Sequence, residues 1–324
     1  MYEEAPGFRH GARERETFPR VHGGPRLRLA LRERERRFHV CMYATGFRPD
    51  PGVRQTLPRV YEGTMPSPLP TVNDVASSIL PGPILGEFVE RECCQMNSRE
   101  VGSTLNSLGK LEAVAAAVAP SGWAGLAGAV ERNAGEMDSR GTATTLTGLR
   151  HLDAAAAAVA PSGWAGLAQA VERTACEMNP RDVSGTLEAL SNLEAAAAAV
   201  PKPGWVGLAG AVERTTRGMN PSGVFGTLNS LSKLEAVTAE MTPSGCAGMA
   251  EAVARNASGM SPGQAVSALY ALGRLKVVAA AMSPSGWVGL AEGVEGAAGN
   301  MNAQQVTKTL NALYQLAGRN PDYF

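Results

Sequence analysis

The sequence repeats itself with a 41-residue period, and this period constrains the fold more than any other feature. Tryptophan follows the period, with cysteine at one position, at Trp123, Trp164, Trp205, Cys246 and Trp287. One methionine column has the same spacing, at Met96, Met137, Met178, Met219, Met260 and Met301. Two leucine columns begin at Leu105 and Leu111 and end at Leu310 and Leu316. Self-similarity of this length is typical of stacked helical repeats.

Six 41-residue units fill the sequence from position 79 to its end without an insertion or deletion. Their bounds are 79–119, 120–160, 161–201, 202–242, 243–283 and 284–324. The first unit has Gly82 in place of tryptophan, and the last departs from the pattern after Leu316. Atypical terminal units are expected where a stack of repeats caps its ends, although a clipped gene model would give a similar pattern.

Each unit has the pattern of a helical pair, as the third unit shows. Apolar residues recur at three- and four-residue spacing from Trp164 to Met178, which is the stripe of an amphipathic helix. Asn179 and Pro180 then form a helix start signal, with Asp182 in the first turn. The predicted second helix places its apolar residues at Val183, Leu187, Leu190 and Leu193.

An acidic residue follows the second leucine column in most units and limits the second helix. If that helix continued straight, Glu194 would lie on its apolar face, so the helix must end or shift register there. Alanine has the highest helix propensity, so the following alanine run favours a short third helix over coil. We therefore predict an all-α fold, an α-solenoid of six 41-residue helical-hairpin repeats.

The segment 1–78 lacks the repeat. It holds 13 arginines, no lysine and many proline and glycine residues, which predicts a disordered leader. No apolar core of a secretory signal follows the start. The segment is a poor organellar transit peptide, because its first serine is Ser67 and it contains several glutamates.

Several classes of function are excluded by what the sequence lacks. No run of apolar residues is long enough to indicate a membrane span, and the five scattered cysteines contain no C-x-x-C pair. No phosphate-binding loop, nucleophile elbow or H-E-x-x-H motif is present. We therefore expect no enzymatic activity, no cofactor, no metal site and no membrane partner.

Two recurring features have a structural interpretation that is favoured over a functional one. The tryptophans lie on the apolar stripe, which favours core packing over base stacking. The recurring Glu-Arg pairs fit a solvated face or ion pairs between units better than acid–base chemistry. These pairs are Glu90-Arg91, Glu131-Arg132, Glu172-Arg173 and Glu213-Arg214.

The exposed face of the second helices carries an excess of positive charge. The whole chain has 30 basic and 30 acidic residues, and the repeat array alone is acidic, with 17 and 21. Four columns face away from the apolar stripe: they begin at Arg99, Ser103, Asn106 and Lys110 and recur once in each unit. These columns, the ribbon, hold seven basic residues and one acidic residue.

The ribbon has two interpretations, and the residues alone favour neither over the other. It is a phosphate track whose variable side chains contact bases, or it is an ordinary solvated helix face. In the first interpretation the residues that face bases are Asn106, Thr147, Glu188, Asn229, Tyr270 and Asn311. The remaining candidate RNA-binding residues are Arg99, Lys110, Arg140, His151, Arg181, Asn192, Lys233, Arg274, Lys308 and Gln315.

The unit resembles the octotricopeptide repeat. That family's helical pattern, D-L-A-N-T-L-W-A-L-A-K-L, corresponds here to DVSGTLEALSNL at 182–193, and its P-P-P-E-W signature to APSGW at 160–164. The resemblance covers all six units. It implies an α-solenoid that binds single-stranded RNA in a chloroplast or mitochondrion and acts in RNA stability, processing or translation.

We therefore expect a non-enzymatic RNA-binding repeat protein, with about one nucleotide bound per unit. One alternative is a protein-binding scaffold of the armadillo or HEAT type, whose units have a similar length. A second alternative is a non-functional fragment of a repetitive gene family. The organelle is implied by the resemblance only, and a cytoplasmic location remains an alternative.

Overall fold

A computed structural model describes residues 89–317 of the chain. Within this range the secondary structure is entirely helical, with turns between the helices and no strand, which confirms the predicted all-α class. The predicted disordered leader, residues 1–78, lies outside the described residues. The segments 79–88 of the first unit and 318–324 of the sixth also lie outside them.

Helices of three kinds alternate along the described chain. The first helices of the units are α3 (Pro120–Asn133), α6 (Pro161–Thr174), α9 (Lys202–Thr215), α12 (Pro243–Asn256) and α15 (Pro284–Ala298). The second helices are α1 (Ser98–Leu108), α4 (Ser139–Arg150), α7 (Pro180–Leu190), α10 (Pro221–Leu231), α13 (Pro262–Arg274) and α16 (Ala303–Ala317). The short third helices are α2 (Glu112–Ala115), α5 (Asp153–Ala158), α8 (Glu194–Ala199), α11 (Glu235–Glu240) and α14 (Lys276–Ala280).

A polar side chain caps the start of each second helix. The capping residues occupy the same position in every unit, at Asn97, Asp138, Asn179, Asn220, Ser261 and Asn302. Asn179 accepts hydrogen bonds from the backbone N–H groups of Arg181 and Asp182, and Pro180 occupies the first turn. These bonds satisfy amide donors that have no partner within the helix, so the predicted helix start is confirmed.

The second leucine column ends the second helix and begins the third. Leu193 has a non-helical backbone, with φ −109° and ψ 87°, and the short helix α8 starts at Glu194. The predicted break and the predicted third helix are therefore both present. The acidic side chain at the helix N-terminus is favoured by the helix dipole. The sixth unit differs, because α16 continues through Leu316 to Ala317 without a break.

The core is formed by the columns that the repeat defines. Trp123, Trp164 and Trp205 are buried, and Trp287 is half-buried. The first leucine column is fully buried from Leu105 to Leu228. First helices contact the first helices of neighbouring units, and second helices contact second helices in the same way. The apolar stripes are therefore buried between units as well as within them.

Small residues allow the second helices to approach one another closely. A Cβ at Gly148 of α4 would lie 2.7 Å from the backbone N of Asn106 in α1. A Cβ at Gly102 of α1 would lie 2.9 Å from Oγ1 of Thr145 in α4. Real Cβ atoms essentially never come this close, so the spacing between α1 and α4 depends on these two glycines.

Arginines at the ends of the first helices join each unit to the one before it. Arg173 of α6 donates from Nη2 to the carbonyl oxygens of Met137, at 2.8 Å, and Ala134, at 3.3 Å. Ala134 begins the 3-10 turn that follows α3, and Met137 comes directly after that turn. The other arginines that reach a preceding unit in this way are Arg132, Arg214 and Arg255.

We call these four residues the inter-unit arginines. The Glu-Arg pairs predicted a solvated face or ion pairs between units. The pairs at 131–132 and 172–173 are exposed, as a solvated face requires, and their arginines join the units through backbone carbonyls rather than through ion pairs. The C-terminal end of a helix carries unsatisfied carbonyls and a partial negative charge, so a cation is favoured there. The preceding glutamate has another role in the fourth unit, where Glu213 accepts hydrogen bonds from Thr242 and Ser244.

Replacement of an inter-unit arginine should destabilise the array. We expect Arg173→Ala to lower the free energy of unfolding by about 1.5 kcal/mol, because it removes hydrogen bonds from a charged donor and leaves two carbonyls without it. The midpoint of urea denaturation measures this. Arg99→Ala removes an exposed arginine from a second helix and should change stability by less than about 0.5 kcal/mol. Equal effects of the two substitutions would contradict the role given to Arg173.

Candidate nucleic-acid interface

The second helices and the turns that follow them present all of the candidate residues at the surface. None of the sixteen is buried. Those that begin the second helices of three successive units, Arg99, Arg140 and Arg181, are exposed. Five members of the column predicted to face bases are half-buried, and Asn311 is exposed. This column, the base column, is Asn106, Thr147, Glu188, Asn229, Tyr270 and Asn311.

A surface groove crosses the second helices of the first four units. It has a volume of about 690 Å³ and is open to solvent on one side. Its walls come from α1, α4, α7 and α10 and from the turns beside them, and it brings together five of the candidate residues. These five are Asn106, Lys110, Thr147, Arg181 and Glu188. The other eleven candidates lie outside its lining, and seven of them belong to the last three units.

An ion pair inside the groove engages one member of the base column. Glu188 of α7 contacts Arg150 of α4, with Oε1 2.5 Å from Nη1. Arg150 also donates from Nη2 to Nε2 of His151, at 2.8 Å. Glu188 was predicted to face a base, and the structure places one of its oxygens against a cation from the unit before. Arg150 therefore orients this carboxylate.

Arg150 lies outside the four columns of the ribbon, so sequence reasoning missed it. Its column holds Gly109, Ser191, Ser232, Gly273 and Tyr314 in the other units, and none of these residues indicates a charged contact. The available signal was the exception itself. Arg150 is the one charged residue of its column, and it lies one unit before the one acidic residue of the base column, which indicates a pair across the two units.

His151 contributes little positive charge to the ribbon. Partial burial lowers the pKa of its imidazole, and the neighbouring Arg150 cation lowers it further. The ring is therefore neutral at pH 7, and its Nε2 accepts the hydrogen bond from Arg150. The positive charge at this end of α4 comes from Arg150, which the sequence analysis did not include, rather than from His151.

Asp182 forms part of the groove lining and is buried. Its Oδ2 accepts a hydrogen bond of 2.6 Å from Nδ2 of Asn179. Burial raises the pKa of this carboxyl group, while hydrogen bonding at Asn179 and the nearby Arg140 and Arg181 oppose that effect. The sequence placed Asp182 in the first turn of α7 beside the ribbon, and the structure places its carboxyl group beneath the groove surface.

Two further candidates make contacts of a structural kind. Asn192 donates from Nδ2 to the backbone carbonyl of Glu188, at 2.7 Å, and so satisfies an acceptor at the end of α7. The ring of Tyr270 is half-buried and packs against the core. Both residues retain some exposure on the ribbon, and each also stabilises the helix that carries it.

Among residues 89–317, no group of three metal-ligating side chains lies together, and the four cysteines in that range are free. None of the helices described is long and apolar enough to cross a membrane. The chain matches no protein-family model and no curated protein.

The buried carboxyl group of Asp182 should make stability depend on pH. Because its pKa is raised in the folded state, the protonated form is favoured by folding, and ionisation as the pH rises opposes folding. We expect Asp182→Asn to be more stable than the unaltered protein at pH 7. This advantage should shrink as the pH falls through the raised pKa of Asp182. Urea denaturation at several pH values measures the difference.

The exposed acid Asp153, at the start of α5, provides the matched control. Asp153→Asn should not produce the same gain at pH 7, since that carboxylate is solvated. A stability difference for Asp182→Asn that is constant across the pH range would show that burial does not govern this group.

Proposed function

We propose that the chain is an α-solenoid of six 41-residue units, preceded by a leader at residues 1–78, that binds single-stranded RNA along the ribbon. The observation that carries this proposal is the groove, in which Lys110 and Arg181 lie beside the base-column residues Asn106 and Thr147. Cations beside amide and hydroxyl groups fit a ligand that alternates phosphates with hydrogen-bonding bases.

The recurrence of the helices supports the solenoid. The five first helices from α3 to α15 start at the same position of their units, and the caps of the six second helices also share one position. First helices contact the first helix of the next unit, and second helices contact the second helix of the next unit. If these contacts between like helices extend through all six units, the units form a one-dimensional stack. The second helices then share one face of the stack, and the ribbon lies on that face.

The one acidic residue of the ribbon is offset by a cation from outside the ribbon. Glu188, the one acidic residue of the ribbon, is paired with Arg150. Lys110, Arg140 and Arg181 are exposed on three successive units. In the proposed complex these cations contact phosphates, while the base column contacts about one base per unit. Glu188, oriented by Arg150, would accept hydrogen bonds from a base amino group.

The resemblance to the octotricopeptide repeat supports the same function and suggests its setting. Proteins of that kind act on organellar RNA, so we propose a role in RNA stability, processing or translation in a chloroplast or mitochondrion. The alternative, a protein-binding scaffold of the armadillo or HEAT type, is favoured by an apolar groove lined with glycine and alanine. Most residues that line the observed groove are polar or charged, among them three asparagines, two serines and two threonines, which favours a hydrogen-bonding ligand over an apolar peptide.

Loss of the ribbon cations should weaken RNA binding and reduce its salt dependence. We expect the triple variant Arg140→Ala, Lys233→Ala and Arg274→Ala to bind single-stranded RNA at least tenfold more weakly. Each lost phosphate contact removes about 0.7 from the slope of log affinity against log salt, so the slope should fall by about 2. Filter binding against an organellar RNA pool at several salt concentrations measures both.

A second triple variant controls for net charge. Lys202→Ala, Arg217→Ala and Lys276→Ala remove three exposed cations that lie outside the second helices. This variant should keep most of the affinity and most of the slope. If the ribbon variant binds as tightly as the unaltered protein, or if both variants lose the same affinity, the ribbon is not the binding surface.

A change in the base column should alter sequence preference at one nucleotide position. Thr147→Asn replaces a half-buried groove residue with the side chain that Asn106 and Asn229 supply in other units. We expect the preference at the corresponding nucleotide to shift while the salt slope stays unchanged, because no phosphate contact is lost. Selection from a randomised RNA pool followed by sequencing reads out the preference.

The neighbouring ribbon residue Thr144 gives a matched control. It also lines the groove, but it belongs to a different column. Thr144→Asn makes the same chemical change and should leave the base preference unaltered. Preferences that move equally with both variants, or with neither, would contradict the assignment of the base column.

A further inference from the structure

The last second helix, α16, exposes apolar residues, two of them at positions that are buried in every preceding unit. Leu310 is 61% exposed, whereas the same column is at most 7% exposed from Leu105 to Leu269. Val306 is 43% exposed, whereas its counterparts from Val101 to Ala265 are fully buried. Tyr314 is 80% exposed and lies one turn beyond Leu310. We call Val306, Leu310 and Tyr314 the tail face.

The interior of the array shows what covers these positions. Leu105 of α1 lies against Gly148 of the next second helix, where a Cβ would come within 2.7 Å of the leucine Cβ. The column of Gly148 continues as Ala189, Ser230, Ala271 and Ala312, which are all buried. The first leucine column is therefore covered, unit after unit, by small side chains on the second helix that follows.

The first described second helix, α1, carries the matching small side chains without a preceding partner helix among the described residues. Ser107 belongs to the column of Gly148 and is half-buried, whereas its counterpart Ser230 is fully buried. Thr104 is also half-buried, whereas Thr145, Thr186 and Thr227 in its column are fully buried. We call Thr104 and Ser107 the head face.

We propose that the tail face binds the head face of a second copy of this chain, so that the array continues end to end. The molecule already contains this contact between each pair of successive second helices, and the two open faces carry the two halves of it. Leu310 would lie against Ser107 of the second copy. This is the relation that Leu187 has to Ser230 of the next unit. An unpartnered leucine and valine favour burial by the hydrophobic effect.

Tyr314 can be accommodated in the same contact. Its column holds Arg150 in the second unit, whose side chain extends to the base-column residue of the next unit, Glu188. A large side chain is therefore compatible with the spacing of the helices at this position. In the end-to-end contact the corresponding residue is Asn106 of the second copy, whose amide can pair with a tyrosine hydroxyl.

The symmetry of this contact determines its product. A head-to-tail interface uses two different surfaces, so each added copy leaves one free face of each kind, and the assembly grows as an open chain. An interface between two tail faces would instead stop at the dimer. The two cases therefore differ in mass as well as in which residues they need.

Sedimentation velocity of the full chain over a range of concentrations tests the proposal. We expect the average mass to rise with concentration and to pass beyond twice the monomer. Leu310→Glu, which blocks the tail face, and Ser107→Glu, which blocks the head face, should each be monomeric alone. An equimolar mixture of the two should form dimers and nothing larger, because it contains one intact head and one intact tail.

Val277→Glu is the matched control. Val277 is 60% exposed in α14, outside both faces, so this variant should assemble like the unaltered protein. Far-UV circular dichroism and urea denaturation verify that each variant is folded. A protein that stays monomeric at every concentration, as expected if residues 318–324 cover the tail face, would overturn the proposal. Dimers that Leu310→Glu abolishes and Ser107→Glu leaves intact would overturn it as well.

Discussion

Successive units are joined where an arginine of one unit reaches the backbone carbonyls that end the first helix of the unit before it. The first helices from α3 to α12 finish in a 3-10 turn, and a helix end of this kind leaves carbonyls without partners. The inter-unit arginines satisfy them from the next unit, as Arg214 does for Ala175 at 2.9 Å. A unit therefore completes the hydrogen bonding of its predecessor, and the relative position of the two is fixed by a polar contact as well as by apolar burial.

Because the relative position of successive units is fixed, their separate helices form a continuous surface. The first helices hold the arginine contacts, while the second helices approach closely through Gly102 and Gly148. Columns that are one full unit apart in sequence then lie side by side in space. The groove exists because of this register: Asn106, Thr147 and Glu188 come from three units and line one concavity.

The sequence was sufficient to predict the structure within a unit and insufficient to predict the side-chain contacts between units. The caps at Asn179 and its counterparts, the break at Leu193 and the burial of the tryptophans all follow from spacing and residue type, because they depend on local backbone geometry. The target of Arg173, the pair between Arg150 and Glu188 and the burial of Asp182 depend on the angle and distance between neighbouring units, which periodicity does not specify. The candidate residues were correctly placed on the surface, while their pairing required coordinates.

The sixth unit departs from the others in several ways. Gly296 stands where the inter-unit arginine would be, so the 3-10 turn Ala257–Gly259 receives no such contact from α15. Within the described part of this unit, no 3-10 turn follows α15, and α16 runs on without the break at the second leucine column. Leu310 of α16 is exposed, whereas its column is buried in every preceding unit. Burial of this column against an added neighbour would stabilise the end of the array by the hydrophobic effect. The end of the array where the apolar columns are open is therefore also the end where burial would stabilise the structure most.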